Sequence, residues 1–388
     1  MTKGTLWVPP TYFALQHALA MPEIDWRVFT LCARVSDPAA RLDIDEAVPG
    51  AEIVPMRLRT VLKWGRIRAM ARRIAAWEPD LIHQHQATWS LGAVEAARRT
   101  GAPLVTTLHG FDAHLGPREA KRTLFGPTGA WNAVNRTAAF AESDLLLAVS
   151  RHLADTAIQA GADPTRLEVH YQGVDTDWWT PTGIRGDNGA GALGSTGPRG
   201  TGGDAPIVLF VGALSRLKGV PELLTAHAAL SDTPHRLVLV GDGPLRRDAK
   251  AAATADPSIS VVGGLERTDV REWMRAASAL VLPTRTTLGR AEAAGLVLLE
   301  AQACGLPVIA NAVGGAPEMV APACRGLLAD ETDSASLLGA LRRVLSMSEE
   351  ERTEMGARGR DWVVAQRSLT GAIGQLRDYY DRVLVRGA

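Results

Sequence analysis

Two carboxylates, Glu292 and Glu300, stand eight positions apart in the stretch Val281 to Glu318, VLPTRTTLGRAEAAGLVLLEAQACGLPVIANAVGGAPE. On a single helix they would lie about 80° apart around the axis and about 12 Å along it, too far to share a proton or a small metal ion. A different arrangement suits the residues better. The apolar run Ala279 to Leu282 reads as a strand, Ala291 to Gly295 as the loop leaving it, and Leu296 to Cys304 as a helix. Gly305 and Pro307 then form the helix stop. Glu292 precedes this helix and Glu300 lies one turn into it, with the backbone of Ala293, Ala294, Gly295 and Leu296 between them. Such an N-terminus favours anions, diphosphate above all. A ligand with hydroxyls at both ends and phosphate in the middle fits, and a nucleotide sugar is such a ligand.

The whole run, with Ala301-Gln302-Ala303-Cys304-Gly305-Leu306-Pro307 and Gly314-Gly315-Ala316-Pro317-Glu318 after the pair, resembles the donor-site signature of retaining glycosyltransferases of the GT-B fold, family four. The resemblance implies two Rossmann-like α/β domains facing a cleft, with the donor held mainly by the second and the acceptor by the first. It implies that Glu292 holds the donor sugar hydroxyls and Glu300 the ribose hydroxyls. It also implies transfer of a hexosyl group, of glucose, N-acetylglucosamine or mannose type, with retention and without a metal or cofactor. UDP is the more frequent donor nucleotide in the family.

The elements around this motif alternate strand and helix. In the second half, strand Ile207 to Val211 leads through Gly212-Ala213-Leu214-Ser215-Arg216-Leu217-Lys218-Gly219 into a helix from Val220. Relatives carry Arg after the first Gly and Lys before the last; Lys218 matches, Ala213 does not, and Arg216 is expected to supply the missing charge to the leaving diphosphate. Strand Arg236 to Val240 ends in Gly241-Asp242-Gly243-Pro244, which lacks the third Gly of a dinucleotide fingerprint; an NAD site is thereby disfavoured, and Gly241 and Gly243 join Gly212 as donor-side expectations. Arg285 and Arg290 add cations near the central loop.

In the first half, strands are expected over Thr5–Val8, Trp26–Cys32, Glu52–Met56, Leu81–His85, Leu104–Leu108, Leu145–Ser150 and Leu167–Tyr171. Strand ends at the carboxyl edge are where ligands gather in open α/β sheets, which places His85, His109 and Asp112 as candidates. The resemblance sharpens His109, because a His-Gly after this strand faces the donor sugar in the family; His85, Asp112 and Arg290 are acceptor-side expectations. Relatives also carry a Gly-Gly loop after the first strand, where this chain has Trp7-Val8-Pro9-Pro10-Thr11-Tyr12.

The segment 57–77 is both basic and amphipathic. Arg57, Arg59, Lys63, Arg66, Arg68, Arg72 and Arg73 meet no acidic residue before Arg73, while Leu58, Val61, Leu62, Met70, Ile74 and Trp77 recur at helical spacing. Two readings stand: a helix lying on an anionic membrane surface, or one whose apolar side packs on the sheet.

At 388 residues with a formal net charge of +0, two domains are the natural expectation, and a general nucleic-acid binder is disfavoured because phosphate neutralisation needs excess Lys and Arg. The boundaries expected are 1–180 for an acceptor-side domain completed by 366–388, a Gly-rich linker over 181–205, and a donor domain over 206–365. Cys32, Cys304 and Cys324 follow no metal-ligand spacing and read as reduced packing residues of a cytoplasmic protein, peripheral at the inner membrane face if the first reading of 57–77 holds. The acceptor is expected among glycans, glycolipids and small natural products. Two other readings remain open: a nucleotide-sugar 2-epimerase on this fold, and a non-catalytic nucleotide-sugar-binding subunit.

Overall fold

The computed structural model describes residues 1–8, 12–35, 41–50, 56–114, 126–181 and 205–387. The expected Gly-rich linker apart from its end residues Pro181 and Ala205, the Pro9–Thr11 segment and all but the last residue of the expected Glu52–Met56 strand lie outside these; Met56 itself opens a helix. The chain divides into two compact units, Met1–Gln172 with Ala372–Ala388, and Gly173–Gly371.

The first unit is built on a seven-stranded parallel sheet. Its strands are β1 (Thr2–Lys3), β3 (Arg27–Thr30), β5 (Asp43–Glu46), β6 (Ile82–His85), β7 (Leu104–Leu108), β8 (Leu145–Ala148) and β9 (Leu167–Val169), in the order β5-β3-β1-β6-β7-β8-β9. A separate parallel pair joins β2 (Leu6–Val8) to β4 (Ala33–Val35). β7 and β8 are buried along their whole length, as expected of strands covered by helices on both faces. The chain winds outward from β1 to β5, then returns to β6 and winds the other way. The winding therefore reverses between β1 and β6, where ligands collect in such sheets. Lys3 and His85 end these two strands in register.

Three elements escape the hydrophobic pattern. β5, Asp-Ile-Asp-Glu, is a polar edge strand, held in part by Arg27 to Asp43 at 3.0 Å and by Arg73 to Asp45 at 2.5 Å. Charge on an edge strand is a usual guard against further pairing. The short β4 and the helix Gly126–Glu142 were likewise unexpected.

The basic helix spans Met56–Ala76. Ile67, Met70, Ala71 and Ile74 pack into the core of the first unit with Phe29, Ile82 and Val94, so packing accounts for the Met70–Ile74 part of the apolar stripe. Val61 and Leu62 do not follow it and remain exposed, at 58% and 40%. Among the described residues, no helix is long and apolar enough to cross a membrane.

The second unit repeats the plan with β10 (Ile207–Val211), β11 (Arg236–Val240), β12 (Ile259–Gly263), β13 (Ala279–Leu282), β14 (Val308–Asn311) and β15 (Leu328–Ala329), all parallel in the order β12-β11-β10-β13-β14-β15. Here the winding reverses between β10 and β13, so the loops after these strands share one edge. Helix Glu349–Arg367 begins with a reciprocal capping box between Ser348 and Glu351, which satisfies two otherwise orphaned N–H groups. The three cysteines are buried and unbridged.

Candidate functional site

The loop leaving β13 carries Glu292, and three devices fix it. Gly314, at φ +61°, lies so close beneath that a Cβ there would stand 2.1 Å from the Glu292 carbonyl oxygen. The Gly315 N–H donates to that same oxygen at 2.8 Å. Thr284, the second residue after β13, donates its hydroxyl to the Glu292 carboxylate at 2.8 Å, and its own carbonyl accepts from Asn311. The Gly-Gly of the sequence motif thus works by letting one backbone approach another.

The Glu292 side chain is 8% exposed, and its Oε2 lies 2.5 Å from the Lys218 ammonium. Burial alone would raise its pKa, but the Lys218 charge, the bonds from Lys218 and Thr284, and one from the Ala293 backbone outweigh it and hold the carboxyl below its ordinary range. Glu292 is therefore ionised at neutral pH. Two predicted groups, one from the loop after β10 and one from the loop after β13, meet in one ion pair.

Glu300 is placed in the opposite environment. It sits in the second turn of helix Leu296–Ala303, whose N-cap is Gly295 at φ +80° with no side chain capping the first N–H groups. Burial pushes its pKa up to about 7, against the opposing charge of Arg267. No described residue donates a hydrogen bond to its carboxylate. Arg267, 4.5 Å over the Trp178 ring, belongs to this wall and was not singled out by spacing; it begins a helix after β12.

Other donor-side expectations divide. Ala293, Gly295 and Leu296 line the loop and helix start and are partly buried, whereas Ala294 is buried. Gly241 and Gly243 have a backbone reason of their own. A Cβ on Gly241 would stand 1.9 Å from the Gly212 carbonyl oxygen, and one on Gly243 would stand 2.5 Å from that of Leu214. These glycines let the loops after β10 and β11 lie against each other. Arg216 is exposed in the turn before helix Val220–Ala228, and its carbonyl accepts from Gly219; the structure does not bring its side chain to the Lys218–Glu292 pair. Arg290 is exposed beside the tip of a two-residue turn, Leu288-Gly289, both at positive φ.

In the first unit, His109 follows β7 and is partly exposed, its ring 4.5 Å from that of Phe13. Its Nε2 lies 3.0 Å from Nδ1 of His85, which stacks between His83 and His109 at 4.3 and 5.2 Å. His83 in turn contacts Tyr380 and Thr107. Burial first, then neighbouring positive charge, holds His83, His85 and His109 well below the ordinary histidine pKa, so the stack is neutral at pH 7.

Two acceptor-side expectations are corrected here. His85 is buried behind His109 and supports it rather than facing a substrate. Asp112 is fully buried, and its oxygens accept the N–H groups of Ala87, His109 and Gly110 at 2.8 to 3.0 Å. It is the clamp that holds the His109-Gly110 turn against the loop after β6. A carboxylate four residues past a strand end and two past a Gly was the available signal for such a turn clamp.

Comparison with known proteins supplies the context. Residues 198–362 match the family model described as glycosyl transferases group 1, and residues 11–178 match that of glycosyltransferase family 4. A D-inositol 3-phosphate glycosyltransferase of Actinosynnema mirum is 32% identical over 81% of this chain and 77% of its own. One of that name from Xylanimonas cellulosilytica is 34% identical over 71% of this chain, and the match spans 66% of that relative's length. Among solved structures, Anabaena HepE in complex with UDP-glucose is similar with a TM-score of 0.73 at 20% identity, covering 98% of this chain and 99% of that one. Sucrose-phosphate synthase from Thermosynechococcus elongatus also gives 0.73 at 20% identity, covering 99% and 100%. These neighbours carry the two-domain GT-B architecture, each domain a parallel Rossmann-like sheet.

Proposed function

From the premise that the chain belongs to the glycosyl transferases group 1 family, within the GT-B glycosyltransferases of family four, we propose that it moves a hexosyl group from a nucleoside diphosphate hexose, UDP-linked, to an acceptor hydroxyl with retention of anomeric configuration. The observation that carries this reading is the pairing of Lys218 with Glu292 beside an uncapped helix N-terminus that also bears Glu300. A diphosphate brings negative charge to that N-terminus and competes for Lys218. Released from its cation, the Glu292 carboxylate accepts hydrogen bonds from the sugar hydroxyls, and Glu300 accepts those of the ribose.

As the glycosidic bond breaks, charge builds on the diphosphate. Lys218 and the helix N–H groups strengthen their hold at that moment, which is the condition for lowering a barrier. These fixed positive groups support a reaction without a divalent cation. Glu292 is engaged through Oε2 by Lys218 and Thr284, which supports a positioning role over that of a covalent nucleophile and favours attack by the acceptor from the face the diphosphate leaves. Among acceptor classes, the relatives' name, with its small phosphorylated cyclitol, supports a small hydroxylated molecule.

Calorimetry of the purified protein against UDP- and GDP-hexoses, with and without magnesium or a chelator, tests the donor. Binding of one nucleotide sugar, unaffected by chelation and lost in Glu300→Ala, is the expected result. Absence of binding to every one of them would overturn the transferase reading. The anomer of the product, read by NMR, tests retention.

A further inference from the structure

The basic helix Met56–Ala76 uses only one side of its circumference inside the first unit. Lys63, Ile67, Met70, Ala71 and Ile74 fall on that side and are buried. On the opposite side Val61, Gly65, Arg68 and Arg72 follow one another along one line, and Leu62, Arg66 and Arg73 along the next, all of them exposed. Arg73 is engaged by Asp45. Among the described residues, Arg66, Arg68 and Arg72 enter no ion pair. The other carboxylates of nearby β5 are taken up elsewhere: Asp43 pairs with Arg27, and Glu46 accepts the Ala33 N–H.

The apolar part of this face continues onto a second helix. Trp64 lies at its margin, with its ring 5.4 Å from that of Trp131 in helix Gly126–Glu142, and both rings are partly exposed. One turn on from Trp131, Val134 is 55% exposed. Val61, Leu62 and Val134 thus flank a tryptophan pair, with arginines alongside. The same turns of the basic helix reach the carboxyl edge of the sheet, because Lys63 donates to the Thr5 hydroxyl just past β1 and lies over the Trp89 ring just past β6. The patch therefore borders the place where the winding reverses. Three exposed apolar side chains are too few for the core of a stable protein interface, which engages roughly twenty residues a side. A bilayer needs less. A helix lying in the interface plane buries a few apolar side chains at the acyl boundary, tryptophan rings favour that depth, and each Arg beside an anionic surface adds to the hold.

We propose that this face of the first unit docks on an anionic lipid surface, with Val61, Leu62 and Val134 inserted and Arg66, Arg68 and Arg72 at the lipid phosphates. The inference goes beyond the transferase reading and does not depend on it, since it needs neither Glu292 nor Glu300. Cosedimentation of the purified protein with vesicles of phosphatidylcholine alone, and of phosphatidylcholine with phosphatidylglycerol, tests it. Binding is expected to the anionic vesicles only, is expected to weaken in high salt, and should be accompanied by quenching of tryptophan fluorescence by lipids brominated in the acyl chain. Arg66→Gln with Arg68→Gln and Arg72→Gln should weaken binding about 100-fold, at about fivefold per cation. Val61→Ser with Leu62→Ser should weaken it about tenfold and abolish the quenching, and Val134→Ser, on the other helix, should weaken it as well. No binding to anionic vesicles, equal binding to both kinds, or unchanged binding in the arginine variant would overturn the proposal. So would a dimer, seen by light scattering without lipid, that Val61→Ser with Leu62→Ser dissolves, because the face would then belong to a second copy of this chain.

Discussion

Replacing Glu300 by Gln should make the protein both more stable and worse at its task. The folded state raises the Glu300 pKa from the ordinary 4.5 to about 7. At about 1.4 kcal/mol per pKa unit, keeping the carboxylate ionised costs the fold about 3 kcal/mol, and about 2 kcal/mol after allowing for its partial exposure. The sign follows from proton binding: between pH 4.5 and about 7 the folded chain holds a proton that the unfolded chain has released, so stability falls as pH rises through this window. Glu300→Gln removes the penalty. It should be more stable than wild type at pH 8 by about 2 kcal/mol, or about 4–8 °C in Tm for a unit of this size, with the advantage vanishing near pH 4.5. The same change should weaken donor binding by about tenfold to a hundredfold, because an amide accepts hydroxyl hydrogen bonds less strongly than a carboxylate. Thermal unfolding at pH 5 and pH 8, together with calorimetry of a UDP-hexose, measures both. A variant no more stable at pH 8, or one that binds donor as wild type does, would refute this account of the Glu300 environment.

Three further outcomes are expected. Lys218→Met leaves Glu292 buried without its cation and should cost about 3–5 kcal/mol, most of it recovered in Lys218→Met with Glu292→Gln; purely additive losses in urea titrations would contradict the pairing. His83, His85 and His109 are held well below the ordinary histidine pKa by burial, and burial lowers that of His170 to about 3, so below pH 6.5 the unfolded chain takes up protons that the folded chain refuses and stability falls as pH drops. The Tm should drop steeply from pH 7 to pH 5, and a flat profile there would count against the buried stack. Gly241→Ala should be poorly folded or lose about 2–4 kcal/mol, since its Cβ would stand 1.9 Å from the Gly212 oxygen; circular dichroism melts decide this, with wild-type stability the adverse result.

The βα rhythm was legible because strands such as Leu145–Ala148 and Ala279–Leu282 are buried on both faces and read as unbroken apolar runs. The helix Leu296–Ala303 was legible through its glycine and proline punctuation. Asp43–Glu46 was not, because an edge strand needs little apolar surface and its partner cations, Arg27 and Arg73, lie far away in sequence. Asp112 was placed at the correct edge but given the wrong task. Its neighbours in sequence say nothing about Ala87, whose N–H reaches it from the preceding βα loop.

The two glutamates show where local reading ends. Eight positions apart on one short segment, they look equivalent, yet their environments drive them in opposite directions. Lys218 and Thr284 keep Glu292 ionised, while burial leaves Glu300 near its midpoint at neutral pH. The difference comes from Lys218, 74 positions away, which arrives from the loop after β10. Separated pKa values within one site are a mark of divided labour. In the function proposed above, Glu292, ionised and paired with Lys218, is the group that receives the sugar once an anion takes its lysine. On the proposed reading Glu300, half titrated at neutral pH, should make donor affinity rise with pH through about 7. A donor affinity independent of pH from 6 to 8 in wild type, with Glu300→Gln showing the same profile, would remove Glu300 from the binding step.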